Sequence, residues 1–271
     1  MQYDPIKRTL GNIFNKSPFL RKLFYKLLDL LLLRTWHIKS EVNKWAKGKP
    51  NDLKILDAGS GFGQYVFFLS GKNRKWNIIG VDVKEEQIDD CNNFFQKIGR
   101  NNVSFQIGDL TKFKQAETYD MVLSVDVMEH ILEDVEVFKN FHHSMKPGGM
   151  VLISTPSDQG GSDVHDHEDE HGSFIDEHVR DGYGIDEIQD KLKSAGFSKT
   201  EARYNYGTPG KISWKISMKY PILMLNASKI FLIILPFYYL ITFPFALLLN
   251  YLDLKLKHKT GTGLIVKAWK K

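Results

Sequence analysis

The chain has 271 residues, 42% of them hydrophobic and 25% charged, with a net charge of +5. That composition is globular, and a single cysteine, Cys91, excludes a disulfide framework. The opening stretch lacks the apolar core and small-residue cleavage site of a signal peptide, and there is no internal repeat or low-complexity tract.

The net charge hides a division. Residues 1–49 hold eleven Lys/Arg against three Asp/Glu, and residues 203–271 hold eleven against one, while the centre is acidic. Basic charge beside long aliphatic runs points to an anionic membrane surface rather than nucleic acid, which calls for a polar basic stripe.

In chain order, Phe19–Ile38 reads as one amphipathic helix. Leu20, Leu23, Phe24, Leu27, Leu30 and Leu31 share an apolar face, and Arg21, Lys22, Lys26 and Asp29 a polar one. Short apolar runs then alternate with helical stretches: LKILDAG, WNIIGVD, VSFQIGD, YDMVLSVDV and MVLISTP are strands, the last after a KPGG turn. The helices between them start near Gln64 and run through Phe95 and Met145. This alternation predicts a parallel sheet covered on both faces. A polar loop of about 28 residues follows Pro156, longer than the ~12–15 residues usual in compact domains. Next come the helix IDEIQDKLKSAGF, a sixth strand SKTEARYNY, a hydrophobic stretch, and a seventh strand GTGLIVKAWK.

The strongest chemical signal is ILDAGSGFG, a strand ending in Asp57 and followed by Gly59, Gly61 and Gly63. Glycines there let backbone N–H groups approach a ligand at the start of a helix. The dinucleotide fingerprint G-x-G-x-x-G fits badly, because its third glycine would be Gln64. The second strand ends in Asp82, where a carboxylate can accept hydrogen bonds from both hydroxyls of a ribose.

With LDAGSGFG, GVD, GDL, YDMVLSVDVMEHI and MKPGG in place, the chain resembles the class I S-adenosylmethionine-dependent methyltransferases over roughly residues 49–210 and 260–271. The resemblance implies an α/β Rossmann-like sheet of seven strands in the order 3-2-1-4-5-7-6, strand seven antiparallel. It places a helical cap at residues 1–48, the cofactor-binding core at 49–210, a helical hairpin insertion at 211–259 and the last strand at 260–271. It also implies S-adenosylmethionine with its methionine end over Asp57, Ala58, Gly59, Ser60, Gly61 and Gly63, and its ribose on Asp82 beside Val83. Its adenine would lie near Asp109 and Leu110, and Val125 would face the methionine moiety.

VDVMEHILED is similar to the segment after strand four in methyltransferases of quinones and other small or lipidic acceptors. On that resemblance Glu129 and His130 stand at the pocket mouth, with His130 a candidate base; the alternative is that they only cap and pack a helix. His178, Arg180 and Tyr183 are candidates for the acceptor headgroup, His178 also for proton transfer. The loop histidines His165, His167 and His171 match no metal motif, and no metal is expected.

From Ile230 to Leu249 there is no charge, enough helix to cross a ~30 Å hydrocarbon core. Both ends of this insertion belong to one sheet, so the segment must return as a hairpin, broken near Pro236 and Pro244. Lys211, Lys215 and Lys219 precede the stretch and Lys255, Lys257 and Lys259 follow it, as the positive-inside rule prefers on the cytoplasmic side. The expected activity is methyl transfer to a lipophilic or membrane-derived small molecule at the cytoplasmic membrane face. The alternatives are a soluble enzyme with a hydrophobic lid, and a non-catalytic cofactor-binding scaffold.

Overall fold

The computed structural model describes residues 17–160 and 179–271. Two helices, α1 (Pro18–Leu31) and α2 (Leu33–Trp45), lead into β1 (Lys54–Ala58), α3 (Gln64–Lys72), β2 (Asn77–Asp82), α4 (Glu85–Lys97) and β3 (Val103–Ile107). Then follow β4 (Tyr119–Val125), a 3-10 turn (Met128–His130), α5 (Asp134–Ser144), β5 (Met145–Pro156), α6 (Ile185–Ser194) and β6 (Lys199–Asn205). The chain closes with α7 (Thr208–Trp214), a π-helical segment (Lys215–Lys219), α8 (Tyr220–Ala227), α9 (Phe231–Lys255) and β7 (Gly263–Trp269).

The strands form one seven-stranded sheet in the order β3-β2-β1-β4-β5-β7-β6. β7 runs antiparallel to both β5 and β6, and the other neighbours are parallel. Alternate residues feed two cores, as a pleated sheet covered on both faces requires. Leu56, Val122, Val151, Ile153 and Val266 pack on α5 and α6 through Phe138, Phe141 and Leu192. Ile55, Met121, Leu123, Leu152 and Ile265 face the other way, towards Ile38 and Val42 of α2, Leu69 of α3 and Phe94 of α4. All the parallel strands end at one edge, where open α/β sheets bind ligands.

Three expectations are corrected. The N-terminal helix is two helices, parted at Leu32, whose backbone is extended. The first of them is also turned over: Arg21 and Tyr25 are buried, while Leu23, Leu27 and Leu30 are each about 40% exposed. The reason is polar. Arg21 pairs with Asp90 at 2.5 Å and donates to the Phe62 carbonyl at 3.0 Å, and the Tyr25 hydroxyl donates to the same carbonyl. A buried guanidinium with its donors satisfied, stacked over Phe94, outweighs the apolar period. Second, α5 stops at Ser144 and Met145 already belongs to β5.

Third, the insertion is a helical hairpin, but it turns at Ser228–Ile230, not at its prolines. Ser228 is extended and its hydroxyl accepts from Ile230 N–H at 3.3 Å, while Pro236 and Pro244 both lie inside α9. The arms are tied along their length. Gly210 N–H donates to Asp253 at 3.1 Å, and the Ser213 hydroxyl donates to the Ala246 carbonyl at 3.1 Å. The Tyr238 and Tyr239 hydroxyls donate to the carbonyls of Ile216 and Ser217 at 2.6 and 2.9 Å. In the π-helical segment Tyr220 N–H bonds back to Lys215, and Pro221 has no N–H to supply the next bond. The two tyrosines take over the carbonyls that Pro221 leaves.

The hairpin's foot is fastened to the core by Asp253, which is fully buried. It faces His37 of α2 at 2.9 Å and His258 at 3.2 Å, and accepts the backbone N–H of Tyr206 at 3.2 Å. Burial acts to raise its pKa, but the His37 hydrogen bond and the charges of His258 and His37 hold it below the usual carboxylate range.

Candidate functional site

The glycine loop is strung between two strands. Gly59 and Ser60 N–H both donate to the Val81 carbonyl, at 2.8 and 2.9 Å, and Gly61 N–H donates to the Asp82 carboxylate at 2.9 Å. The other Asp82 oxygen accepts from Lys84 N–H at 3.1 Å. The carboxylate is thereby fixed at the strand end with lone pairs to spare.

Gly59, Gly61 and Gly63 all have left-handed backbones, with φ of 79°, 48° and 75°. A side chain on Gly59 would strike Val127 at 2.2 Å, whereas one on Gly61 would meet open space. Gly61 is the point where the loop backbone is bare. Gly63 stands at the N-terminus of α3, whose first turn offers free N–H groups. Arg21 and Tyr25 hold this loop from the α1 side through Phe62, which sequence reasoning missed because nothing in the pattern separates Arg21 from Lys22 and Lys26.

Beneath the loop, Asp57 is only 2% exposed, and one of its carboxylate oxygens has no partner among the described residues. Burial, and after it the charge of Asp82, pushes its pKa up to about 7. The Ser60 hydroxyl is also without a partner there. An orphaned buried carboxylate, an orphaned hydroxyl and a bare glycine backbone fit a ligand with a cationic end and hydrogen-bonding groups. Ala58 lies wholly in the core beneath.

Val83 and Ile107, at the ends of β2 and β3, are each 54% exposed and make an apolar wall beside Asp82. Ile107 was not singled out in the sequence. Asp109 is exposed and accepts from Thr111 N–H at 2.9 Å and the Thr111 hydroxyl at 2.7 Å, bonds that hold its pKa low. The Leu110 side chain is buried in the core, so only its backbone reaches the crevice edge. Val125, half-buried, closes the crevice at the end of β4.

A second polar cluster stands at the end of β4. Asp126 has a left-handed backbone, φ 52°, and pairs with Arg34 of α2. Burial works against the Arg34 charge, but Asp126 and its neighbours Tyr65 and Tyr206 hold the guanidinium pKa above its ordinary value. Arg34 N–H donates to the Tyr206 hydroxyl at 3.0 Å, and Tyr206 is also left-handed at φ 52°. Strained backbone at two residues of one cluster is a mark of a functional site. Glu129 lies beneath at 2% exposure, its carboxylate accepting from the Thr155 hydroxyl at 3.2 Å. Burial, then the Asp126 charge, pushes its pKa up to about 8. Arg34, Tyr65, Asp126 and Tyr206 were not legible as site residues, because they come together only when α2 and the β6 exit fold over the sheet.

The 3-10 turn divides the two predicted neighbours: Glu129 points inward and His130 is exposed. Tyr183 departs from the expected acceptor contact. It is fully buried, and its hydroxyl sits 2.8 Å from Asp134 and 3.1 Å from the Met128 carbonyl. Arg180 also departs from expectation: its guanidinium pairs with Asp134 and donates to the Ile131 carbonyl at 2.7 Å. Both bind the loop to the start of α5, because Asp134, also paired with Lys191 at 2.8 Å, outcompetes a solvent-facing role. His178, with His165, His167 and His171, lies outside the described residues. Among the described residues no three His, Cys, Asp or Glu side chains form a metal cluster.

Comparison with known proteins bears on this geometry. Residues 49–196 match the profile of a methyltransferase domain. Phosphoethanolamine N-methyltransferase 1 of Triticum aestivum is 33% identical over 129 residues, which is 42% of this chain and 25% of that protein. The chain thus matches about a quarter of the length of that relative. In fold, it is similar to phosphoethanolamine N-methyltransferase 2 of Haemonchus contortus in complex with S-adenosyl-L-methionine. The TM-score is 0.59 at 17% identity, over 87% of this chain and 52% of that one. A SAM-dependent methyltransferase of Aquifex aeolicus gives 0.51 at 18% identity, over 75% of this chain and 93% of that one.

Proposed function

The chain belongs to the family of S-adenosylmethionine-dependent methyltransferases, and we propose that it methylates a small molecule drawn from the cytoplasmic face of a membrane. The observation that carries the methyl-transfer reading is the glycine loop latched to Asp82 over the orphaned carboxylate of Asp57. When bound, S-adenosylmethionine supplies an electrophilic methyl group on a sulfonium sulfur. The bare backbone around Gly61 and the first turn of α3 bind its methionine end, Asp57 answers its positive charge, and Asp82 accepts its ribose hydroxyls. Val83 and Ile107 shelter the adenine, next to Asp109.

The acceptor belongs beside the Arg34–Asp126 pair, near Glu129, Tyr65 and Tyr206. These groups orient it and exclude water, and positioning is a large part of such catalysis. Proton removal is assigned to the turn that carries Glu129 and His130.

Membrane contact is supported by exposure. In α9, which is long and apolar enough to cross a membrane by length and composition, only 11% of the most apolar window is buried. The outward leucines of α1, interleaved with exposed Lys22 and Lys26, make a second surface of the same kind. A soluble lid would bury such residues against the core.

A second reading is favoured by the wheat relative, whose name gives phosphoethanolamine as its acceptor: the Tyr65 and Tyr206 rings around the Arg34–Asp126 pair suit a water-soluble amine. Flotation tests the location. The full chain is mixed with vesicles made from membrane lipids of its own cells and spun through a density step, with cofactor binding measured on the same sample. Recovery with the vesicles supports the membrane reading. Protein that binds cofactor yet stays at the bottom removes it and leaves the soluble amine enzyme.

A further inference from the structure

We infer that the α7–α9 hairpin lies flat in the headgroup layer of an anionic bilayer, with α9 along the acyl boundary, and does not stand upright in the membrane. This rests on the membrane reading above and adds an orientation to it. Beyond Leu232, which is exposed at the tip on another side, the most outward residues of α9 form one stripe. Ile233, Phe237, Leu240, Ile241, Phe245 and Leu248 are each more than half exposed. At ~100° per residue they fall within an arc of roughly 140°. The opposite side holds Ala246, Asn250 and Asp253, all buried against the first arm and the core. The stripe therefore runs the length of the helix from tip to foot, not only at the tip.

The first arm has the complementary chemistry. Lys211, Lys215 and Lys219 recur every fourth residue, which places them along one side of that arm. From Lys211 to Lys219 is eight residues, ~12 Å of helix. Stood upright with its foot at the surface, the hairpin would sink Lys215 and Lys219 towards the middle of a leaflet, where a cation is strongly disfavoured. Laid flat, all three lysines stay at headgroup depth beside lipid phosphates, and the α9 stripe takes the acyl chains. The foot at Asp253 is clamped to α2 and to the β6 exit, so a flat hairpin holds the core close to the bilayer plane.

The test is a depth profile. Ile233→Cys, Leu240→Cys and Leu248→Cys are labelled one at a time with a small fluorophore, the unsubstituted chain with its buried Cys91 serving as background. Each is bound to vesicles of equal parts phosphatidylcholine and phosphatidylglycerol containing shallow or deep spin-label quenchers. The flat hairpin gives the three positions the same depth, all quenched best by the shallow probe. A gradient approaching ~22 Å between positions 233 and 248, the rise of fifteen helical residues, overturns it. So does bound protein whose labels no quencher reaches. Failure to bind the vesicles at all overturns the membrane reading instead.

A second variant checks the sign independently. Lys215→Gln with Lys219→Gln lowers affinity for these vesicles roughly 30-fold if both lysines lie at the headgroups, at about fivefold each. Unchanged or stronger binding contradicts the flat arrangement.

Discussion

Gly61 donates its backbone N–H to the Asp82 carboxylate at 2.9 Å, across the gap between the first and second strands of the sheet. The glycine loop and the ribose acid are thus one mechanical unit: moving either moves the other. The residue that would hold the ribose also sets the backbone that would hold the methionine end.

Replacing Asp82 therefore has two consequences. Asp82→Ala removes two acceptors for a ribose and frees Gly61 and Lys84 N–H groups. Affinity for S-adenosylmethionine should fall by ~2–3 kcal/mol, the scale of lost charge-assisted hydrogen bonds. Titration calorimetry reads it directly, and unchanged affinity would overturn the ribose assignment.

Asp57 gives a pH signature. Its folded pKa of about 7 lies above the ordinary carboxylate value, so the folded chain holds a proton that the unfolded chain has already lost. The ligand-free protein should therefore lose stability as pH rises from about 4 through about 7, with Glu129 extending the loss to about 8. Asp57→Asn removes much of that slope and stabilises the ligand-free chain at pH 8 by ~2–4 kcal/mol, while weakening cofactor binding. Denaturant midpoints at pH 5.5 and pH 8 measure both signs. A variant less stable than the parent at pH 8 would show that Asp57 is already satisfied.

At the hairpin's foot the sign is opposite. Asp253 is held below its usual pKa, and burial, ahead of the Arg203 charge, holds His37 below its own. Both groups contribute stability above their unfolded pKa values, and it is lost as pH falls through the His37 and Asp253 transitions. Asp253→Ala should cost ~3–5 kcal/mol, because His37, His258 and two backbone N–H groups lose a shared buried acceptor. Calorimetric unfolding at pH 7 gives the cost. A change under 1 kcal/mol would mean that the foot is held by other contacts.

Within the hairpin, Tyr239 and Pro221 are coupled through a carbonyl neither owns. Tyr239→Phe should cost ~1–2 kcal/mol by stripping the donor from Ser217, with a like cost for Tyr238→Phe at Ile216. In a Pro221→Ala background the restored N–H takes over, and the Tyr239→Phe cost should fall by half or more. A double-mutant cycle on chemical unfolding measures this coupling. Strict additivity would separate the two residues.

The sheet was legible because its signals are local and mutually consistent. Asp57 before a glycine loop and Asp82 at the next strand end fall on consecutive parallel strands, and the near-continuous burial of β1, β4 and β5, alternate residues feeding opposite cores, follows from their runs of Ile, Leu and Val. The polar contacts that assemble the Arg34–Asp126 cluster were not legible. Arg34 meets Asp126 across ninety-two residues, and Tyr206 reaches Arg34 across 172. The turned-over α1 failed for a related reason: the apolar period was real, but Arg21 found Asp90, Phe62 and Cys91 in the core, and the leucines were left outside. Tyr183 and Arg180 misled because an aromatic and an arginine before a helix serve a buried Asp134 as readily as a substrate.

Methyl transfer to an acceptor taken from the membrane is read out with methyl-labelled S-adenosylmethionine. The purified full chain is incubated with membranes from its own cells, and the mixture is divided between organic solvent and water. Label should enter the organic phase, dependent on Asp82. Label confined to the aqueous phase, with the membranes dispensable, would contradict it and make the acceptor a soluble amine.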